Sequence, residues 1–257
     1  MIFDSHMHTK YSADSDMQLA DALAVAAKQG HGIVLTEHLD YDYPGDRYDF
    51  TFSPEDYWRE YEPLRGANLR LGVEVGMTPG IKARNEAFVA RAPFDEVIGS
   101  IHIVDGIDIY EEEAYAGRTQ DEMYARYFEL NEKLLRENSY VDVLGHIDYI
   151  CRYAPYDEPG LSYGRWQEGI DRVLKAALET DTVLELNTRR LGDALAVKQL
   201  VAVYRRYRQL GGRYVTIGSD AHRAEAVGAF FTNALELAAA CDLQVVTFVE
   251  RKMELCK

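Results

Sequence analysis

The chain has 257 residues, of which 47% are hydrophobic, and this length and composition can supply one large buried core. Its formal net charge is −15 and it has no dense run of lysine or arginine, which disfavours nucleic acid and anionic membranes as partners because both are bound through basic side chains. The three cysteines are widely spaced and no apolar run reaches the ~18 residues of a bilayer span, so we expect a cytoplasmic protein without disulfides.

Short apolar runs rich in β-branched residues alternate with longer amphipathic stretches along the chain. The apolar runs predict strands at residues 2–4, 33–36, 70–75, 96–100, 141–145, 183–187, 214–218 and 244–248. The amphipathic stretches predict helices at residues 17–29, 54–65, 80–90, 120–137, 163–179, 194–210 and 224–240. This alternation predicts an α/β fold of parallel strands joined by helices, in one domain over residues 1–257.

Six of the seven histidines directly follow predicted strands, and each has an oxygen or nitrogen donor nearby. They are His6, His8, His38, His102, His146 and His222. Imidazole and carboxylate are the side chains that bind Zn, Mn or Fe in proteins. Since the carboxyl ends of parallel strands converge on one face of a barrel, the sequence predicts that these histidines share one metal site there.

Several carboxylates are candidates for the remaining ligands of this metal site. Glu74 and Asp220 each close an apolar strand, where an unpaired carboxylate is costly, so metal ligation is favoured over a salt bridge. Asp14 is either a ligand or a helix cap, and Asp16 competes with it for either role.

Three further residues are interpreted as lying outside the ligand set. Asp4 and Asp148 are predicted to orient imidazoles rather than to bind metal. His31 lies between a predicted helix and a predicted strand without an acidic neighbour in register, and a surface or helix-capping role is expected.

An ordered set of motifs resembles the polymerase and histidinol phosphatase (PHP) superfamily, and within it the histidinol-phosphatase branch. The motifs are HMHTKYSAD (6–14), TEH (36–38), GVE (72–74), GSIH (99–102), GHID (145–148) and GSDAH (218–222). They extend from the first predicted strand to the seventh. The resemblance implies a distorted (β/α)7 barrel, similar to a TIM barrel, with a trinuclear metal centre at the carboxyl ends of the strands.

The resemblance also implies which side chains bind each metal. The ligands would be His6, His8, Glu74 and Asp220 for the first metal, Glu74, His102 and His146 for the second, and Asp14, His38 and His222 for the third. Family members differ at the position of Asp14, where histidine also occurs. Every ligand position is filled here, which argues against a non-catalytic member. Two to three divalent ions are expected, and Zn, Mn and Fe all suit these donors.

A centre of this kind suits hydrolysis of a phosphate monoester by a hydroxide that bridges two metals. Asp220 is the candidate acceptor of the water's proton, and His222 is the candidate group that assists the leaving alkoxide. Both are catalytic roles that we state as hypotheses.

A phosphate substrate also needs a cationic clamp, for which the planar guanidinium group is suited. Arg152, Arg189 and Arg190 all lie beyond strand ends, and solvated surface positions are the alternative for each. The resemblance favours Arg152 and Arg189 as phosphate contacts, with Tyr153 close by.

Segments 40–49 and 105–118 are acidic and rich in tyrosine, and both follow strands that end in candidate ligands. An acidic pocket wall would favour a substrate that carries an ammonium or imidazolium group besides phosphate, as L-histidinol phosphate does. The alternatives are a PHP phosphoesterase for nucleotides or general phosphomonoesters, a metal-dependent non-phosphate hydrolase, and a binding protein with a structural metal centre. The expected partner is a small phosphorylated substrate, and the oligomeric state stays open.

Overall fold

The computed structural model describes residues 1–256, which form a curled sheet wrapped by helices. The strands are β1 (Phe3–Asp4), β2 (Gly32–Leu39), β3 (Leu69–Gly76), β4 (Val97–Ser100), β5 (Ile103–Val104), β6 (Ile107–Asp108), β7 (Val143–Leu144), β8 (Val183–Asn187), β9 (Tyr214–Gly218), β10 (Gln244–Val249) and β11 (Lys252–Leu255). The helices are α1 (Leu19–Gln29), α2 (Pro54–Tyr61), α3 (Lys82–Val89), α4 (Gln120–Glu137), α5 (Tyr163–Glu179), α6 (Ala194–Gln209) and α7 (Phe231–Ala240). Within residues 1–256, none of the helices has the length and hydropathy of a bilayer span.

The parallel strands β1, β2, β3, β4, β7, β8 and β9 are hydrogen-bonded in this order. The sheet then closes on itself, because the Ser5 amide donates to the Ile217 carbonyl at 2.8 Å and Met7 forms a bridge with Ala221. In the part of the chain that the structure describes, these seven strands form the predicted distorted (β/α)7 barrel. Most strand residues are buried because helices cover the outside, as is usual for parallel sheets.

The predicted helix over residues 224–240 is wrong in its first half. The structure has a 3-10 turn at Ala224–Ala226, and α7 begins only at Phe231. The chain leaves the helical region between them, because Gly228 and Phe230 have φ values of +67° and +57°. The Gly228 amide instead donates to the carboxylate of Asp4 at 2.9 Å, which ties this loop to β1.

The predicted strand at residues 244–248 is confirmed as β10, which pairs with β9 and then turns into β11. Val246 and Phe248 of β10 pack against Ile98, Val143 and Val183 in a small apolar cluster. Arg251, in the turn of this hairpin, donates to the Asp95 carbonyl at 2.9 Å and to the Asp142 side chain, which precede β4 and β7, so the hairpin covers the amino-terminal end of the barrel. The carboxyl ends of the strands are thereby left as the open face.

Candidate metal centre

Glu74, on β3, is the residue around which the predicted ligands gather. It is fully buried, and its carboxylate accepts a hydrogen bond from Ser100 Oγ at 2.6 Å. Histidine nitrogens surround the same carboxylate at 2.8 Å (His38 Nδ1), 2.9 Å (His146 Nε2), 3.2 Å (His6 Nε2), 3.3 Å (His102 Nε2) and 3.6 Å (His8 Nε2). Residues from four barrel strands or the turns after them therefore converge on one carboxylate of a fifth strand.

The remaining three predicted ligands border this group. Asp220 Oδ1 lies 3.4 Å from His8 Nε2. His222 Nε2 lies 3.2 Å from Asp14 Oδ2 and 3.3 Å from His38 Nε2. Asp14 therefore faces the site, whereas Gln18 is the N-cap residue of α1 and makes no side-chain cap bond. The structure thus brings all nine predicted ligands together.

Hydrogen bonds outside the centre fix the orientation of four histidine rings. His6 Nδ1 donates to Glu185 at 2.7 Å, and His102 Nδ1 donates to Asp40 at 3.0 Å. Ser12 Oγ donates to Glu37 at 2.7 Å, so it accepts from His8 Nδ1 at 3.0 Å. His222 Nδ1 donates to the Asp220 carbonyl at 3.0 Å. In its neutral form each ring therefore carries its proton on Nδ1 and presents the Nε2 lone pair to the centre.

This donor set fits divalent metal ions. Among the described residues, His6 Nε2, His8 Nε2 and Glu74 Oε2 are buried and make no hydrogen bond, an arrangement that is costly without a ligand. Four triads have ligand atoms within 4.8 Å of one another: His6–His8–Glu74, His6–His146–Asp220, His38–Glu74–His102 and His8–His38–His222. Imidazole lone pairs and a shared carboxylate are the donors that Zn, Mn and Fe accept.

The protonation states of Glu74 and His8 agree with this fit. Burial favours the neutral form of Glu74, but His6, His38 and His102 outweigh it and hold the pKa of this carboxyl well below its usual value. Burial and the neighbouring His38 and His222 rings hold the pKa of His8 well below its usual value. At neutral pH the centre therefore contains an ionised carboxylate and a neutral imidazole, the forms that bind metal.

His38 differs from His8 because it faces more carboxylate charge. Burial opposes its protonation, but Glu74 and Asp14 outweigh this and raise the pKa of His38 to about 9. Release of this proton accompanies any binding of a cation by His38.

The two carboxylates predicted to orient imidazoles do not do so. Asp4 accepts hydrogen bonds from the Ser219 amide at 2.8 Å and from Ser219 Oγ at 2.6 Å, so it holds the loop that carries Asp220. Burial raises the pKa of Asp4 to about 6, and the bonds from Ser219 and Gly228 oppose this effect. Asp148 instead accepts from Arg190 at 3.2 Å. The prediction was wrong because Glu185 and Asp40 occupy the positions behind the rings.

The centre opens into a cavity of about 960 Å³. Arg152, Arg189 and Tyr153 line this cavity, whereas Arg190 is not among its lining residues. Arg152 donates from Nη1 to Asp220 Oδ2 at 2.5 Å and from Nη2 to Asn187 Oδ1 at 2.9 Å. Arg189 donates from Nη1 to the Asp220 carbonyl at 3.0 Å. Two of the three candidate arginines therefore lie beside the predicted metal ligands.

The acidic segments form part of the cavity wall, as predicted. Asp108, Glu111 and Glu113 line it together with Tyr43 and Tyr110. Tyr43 donates to Asp108 at 2.6 Å, so the two segments are joined at this wall. One part of the cavity is therefore cationic and another is acidic and aromatic.

His31 lies apart from these residues. Its ring is half-buried and packs on Phe231, with centroids 4.6 Å apart. Its backbone amide donates to the Ala26 carbonyl at 3.0 Å, where α1 ends. The side chain therefore packs inside the fold, and the helix end is capped by the backbone.

Known proteins resemble this chain over most of its length. The family model of the PHP domain matches residues 4–189. A probable histidinol-phosphatase of Clostridium acetobutylicum is 41% identical over 254 residues, covering 99% of each chain. A histidinol-phosphatase of Lactococcus lactis is 28% identical over 232 residues, covering 86% of this chain and 84% of the other.

A solved structure matches this chain in its fold and over nearly its whole length. The histidinol phosphate phosphatase from Lactococcus lactis, crystallised with Zn, L-histidinol and phosphate, has a TM-score of 0.91 at 27% identity and covers 98% of each chain. The chain belongs to the PHP family.

Proposed function

We propose that this protein is a metal-dependent phosphomonoester hydrolase whose substrate is L-histidinol phosphate. The full-length resemblance to a probable histidinol-phosphatase supports the activity, and the related structure with L-histidinol and phosphate supports the substrate. The observation that carries the proposal is the gathering of histidine rings around Glu74 at the base of a cavity with a cationic and an acidic part.

In this proposal the nine converging side chains bind two to three divalent ions, which are Zn, Mn or Fe. The division among them would follow the family pattern, in which Glu74 would contribute to two of the sites. Ions held by these residues would supply positive charge for the phosphate oxygens and would lower the pKa of an attacking water. The rings with fixed tautomers need no reorganisation to bind them, because their lone pairs already point inward.

Asp220 accepts the proton of the attacking water in this scheme. Burial opposes its ionisation, but Arg152 and His6 outweigh this and hold the pKa of Asp220 well below its usual value. Oδ2 is bonded to Arg152, whereas Oδ1 faces His8. Oδ1 is therefore the oxygen that faces the centre.

His222 assists the leaving oxygen. It lines the cavity, and its ring is held by the bond from Nδ1 to the Asp220 carbonyl. Its Nε2 is the other ring nitrogen, so His222 would exchange a proton with the alkoxide of the product through this atom only while Nε2 is not bound to a metal.

The phosphate group is positioned by Arg152 and Arg189, with Tyr153 beside them. Arg152 is anchored by Nη1 on Asp220 and by Nη2 on Asn187, and Arg189 is anchored by Nη1 on the Asp220 carbonyl. Both guanidinium groups therefore keep other N–H groups for phosphate oxygens. Arg152→Ala is expected to raise KM for the substrate, and an unchanged KM would remove this residue from the phosphate contacts.

In the proposal, the acidic wall of the cavity binds the leaving group of the substrate. Asp108, Glu111 and Glu113 provide negative charge for the ammonium or imidazolium group of L-histidinol phosphate. A nucleoside monophosphate would bring an uncharged sugar and base to the same wall, and a non-phosphate substrate would leave unused the arginine N–H groups that do not bond to Asp220 or Asn187. The substrate is a small molecule, neither nucleic acid nor membrane takes part, and the cytoplasmic location stays an expectation.

The test is a steady-state comparison of L-histidinol phosphate with p-nitrophenyl phosphate and a nucleoside monophosphate, with added Mn²⁺ or Zn²⁺. The proposal expects the highest kcat/KM for L-histidinol phosphate. A value no better than that for p-nitrophenyl phosphate would contradict the substrate, and absence of phosphate release from all three would contradict the reaction class.

A further inference from the structure

Phe230 stands at the amino-terminal end of α7 in a conformation that does not suit its side chain. Its φ of +57° lies in the left-handed region, which bulky L-residues rarely adopt. It is the N-cap residue of α7, yet its side chain has no group that can accept a hydrogen bond from the helix. The residue is also 47% exposed. Backbone strain of this kind persists only where the surrounding structure imposes it, and it is concentrated at functional sites.

Two loops hold the ring of Phe230 in place. A Cβ atom at residue 192 would come within 2.7 Å of Phe230 Cζ, so the ring can lie on this turn only because Gly192 has no side chain. Asn233 Nδ2 donates to the Leu191 carbonyl at 2.7 Å, which ties the start of α7 to the same turn. Gly228 is anchored on Asp4 two residues before Phe230. The ring is therefore positioned by loops that follow β8 and β9.

The ring lines the same cavity as His222 and Arg189. In the closed strand order, β9 lies across the barrel from β4, whose following loop carries Asp108 and Glu111. The cavity thus has the ring of Phe230 on the β9 side and carboxylates on the β4 side, with Tyr43 and Tyr110 beside them. A small heterocycle between them can place its face on the ring and its N–H edge towards the carboxylates.

We propose that Phe230 is a specificity-determining residue, the platform on which the heterocyclic ring of the leaving group packs. The inference rests on the proposed function, because the imidazole of L-histidinol phosphate is the ring in question. It adds to the proposed function that Phe230 lets the protein discriminate between phosphate monoesters with a ring and those without one. Ring packing acts on the leaving group, whereas the metal centre and the arginines act on the phosphate that all monoesters share.

The experiment compares L-histidinol phosphate with O-phosphoethanolamine, a monoester that carries an ammonium group and no ring. Phe230→Asn removes the aromatic face and keeps a residue that tolerates a positive φ. The expected result is a fall of about tenfold in the ratio of kcat/KM for the first substrate to that for the second. Phe230→Tyr keeps the ring and is the matched control, with the ratio within about twofold of wild type.

A second variant changes the ring's position without altering residue 230. Gly192→Ala places a methyl group against the ring, and the ratio should fall in the same direction as in Phe230→Asn. Metal content and inhibition by inorganic phosphate are measured in every variant, since a general disturbance of the centre would change both.

A ratio in Phe230→Asn equal to that of wild type would overturn the platform, and so would an equal loss on both substrates. The proposed function fails separately, because that failure is visible in the wild-type protein alone. A wild-type protein without preference for L-histidinol phosphate overturns both statements. A wild-type preference that survives in Phe230→Asn overturns only the platform.

Discussion

The two ends of the barrel both contain buried carboxylates, and their neighbours differ. At the amino-terminal end, Asp95 accepts hydrogen bonds from Arg65 Nε at 2.9 Å, the Leu71 amide at 2.9 Å and the Glu250 amide at 3.0 Å. At the carboxyl-terminal end, Glu74 is surrounded by imidazoles, several of which present lone pairs.

The difference separates a structural carboxylate from a site. Protein donors satisfy the charge of Asp95, so this carboxylate stabilises the fold by itself. The charge of Glu74 faces several imidazole nitrogens that are acceptors in their neutral form, and a cation satisfies these nitrogens and the carboxylate at once. Asp95 and Glu74 are both buried and ionised, so the difference between their roles comes from the groups that surround each carboxylate.

Glu74→Gln should have the largest effect, because it removes the carboxylate around which the ligands gather. We expect a fall of about 10³-fold or more in kcat/KM for L-histidinol phosphate, together with loss of bound metal. Steady-state kinetics and elemental analysis of the same sample provide the measurement. Full metal content with unchanged activity in Glu74→Gln would contradict the role of Glu74 as the carboxylate around which the metal ligands gather.

Glu185→Gln should have the next largest effect, because Glu185 accepts from His6 Nδ1 and from the His146 amide. Loss of such a partner weakens metal binding by about 10- to 100-fold. Glu96→Gln is the matched control: Glu96 is fully buried, and burial raises the pKa of its carboxyl well above its usual value. It is therefore neutral, and glutamine should preserve metal affinity. Equal losses in both variants would refute the orienting role of Glu185.

Asp95→Asn should damage stability rather than chemistry. The amide keeps the shape but loses the charge-assisted bond to Arg65 and presents a donor to backbone amides. We expect the free energy of unfolding to fall by about 2 kcal/mol, with kcat per folded molecule unchanged. Denaturant unfolding and kinetics of the same preparation check this. A loss of metal in Asp95→Asn would show that the two ends are not independent.

The smallest expected effect is a pH dependence of stability that originates from Asp95. Burial opposes its ionisation, but Arg65 and the Leu71 and Glu250 amides outweigh this and lower the pKa of Asp95 below its ordinary value of 3.8. A depressed pKa gives stability that is present above the unfolded-state value and is lost as the pH falls through the folded-state value. Thermal unfolding from pH 6 to pH 3 should therefore show a smaller loss in Asp95→Asn than in wild type. Parallel curves would contradict this assignment.

The sequence was sufficient to predict the candidate histidines, Glu74 and Asp220 because each lies in or just after an apolar strand, whereas Asp14 joined the ligand set only through the family resemblance. Parallel strands end on one face, so local patterns determine which side chains can meet. His6 and His222 illustrate this, since they lie at opposite ends of the chain and share one centre.

Local sequence patterns could not predict the residues that orient the histidine rings. Glu185 lies inside an apolar strand, and its partner His6 is 179 positions away. The break before α7 was also missed, because the pattern from residue 224 onwards is compatible with a continuous helix. Only tertiary bonds, such as that of Gly228 to Asp4, make the left-handed conformation of Phe230 evident.

The central claim is that the imidazoles around Glu74 bind the metals that hydrolyse L-histidinol phosphate. The most direct measurement follows phosphate release from this substrate while chelated protein is titrated with Mn²⁺ or Zn²⁺, with bound metal determined at each point. We predict activity that is lost on chelation and restored as two to three ions bind per chain. Full activity of metal-free protein, or full metal binding without hydrolysis of L-histidinol phosphate, would contradict the account.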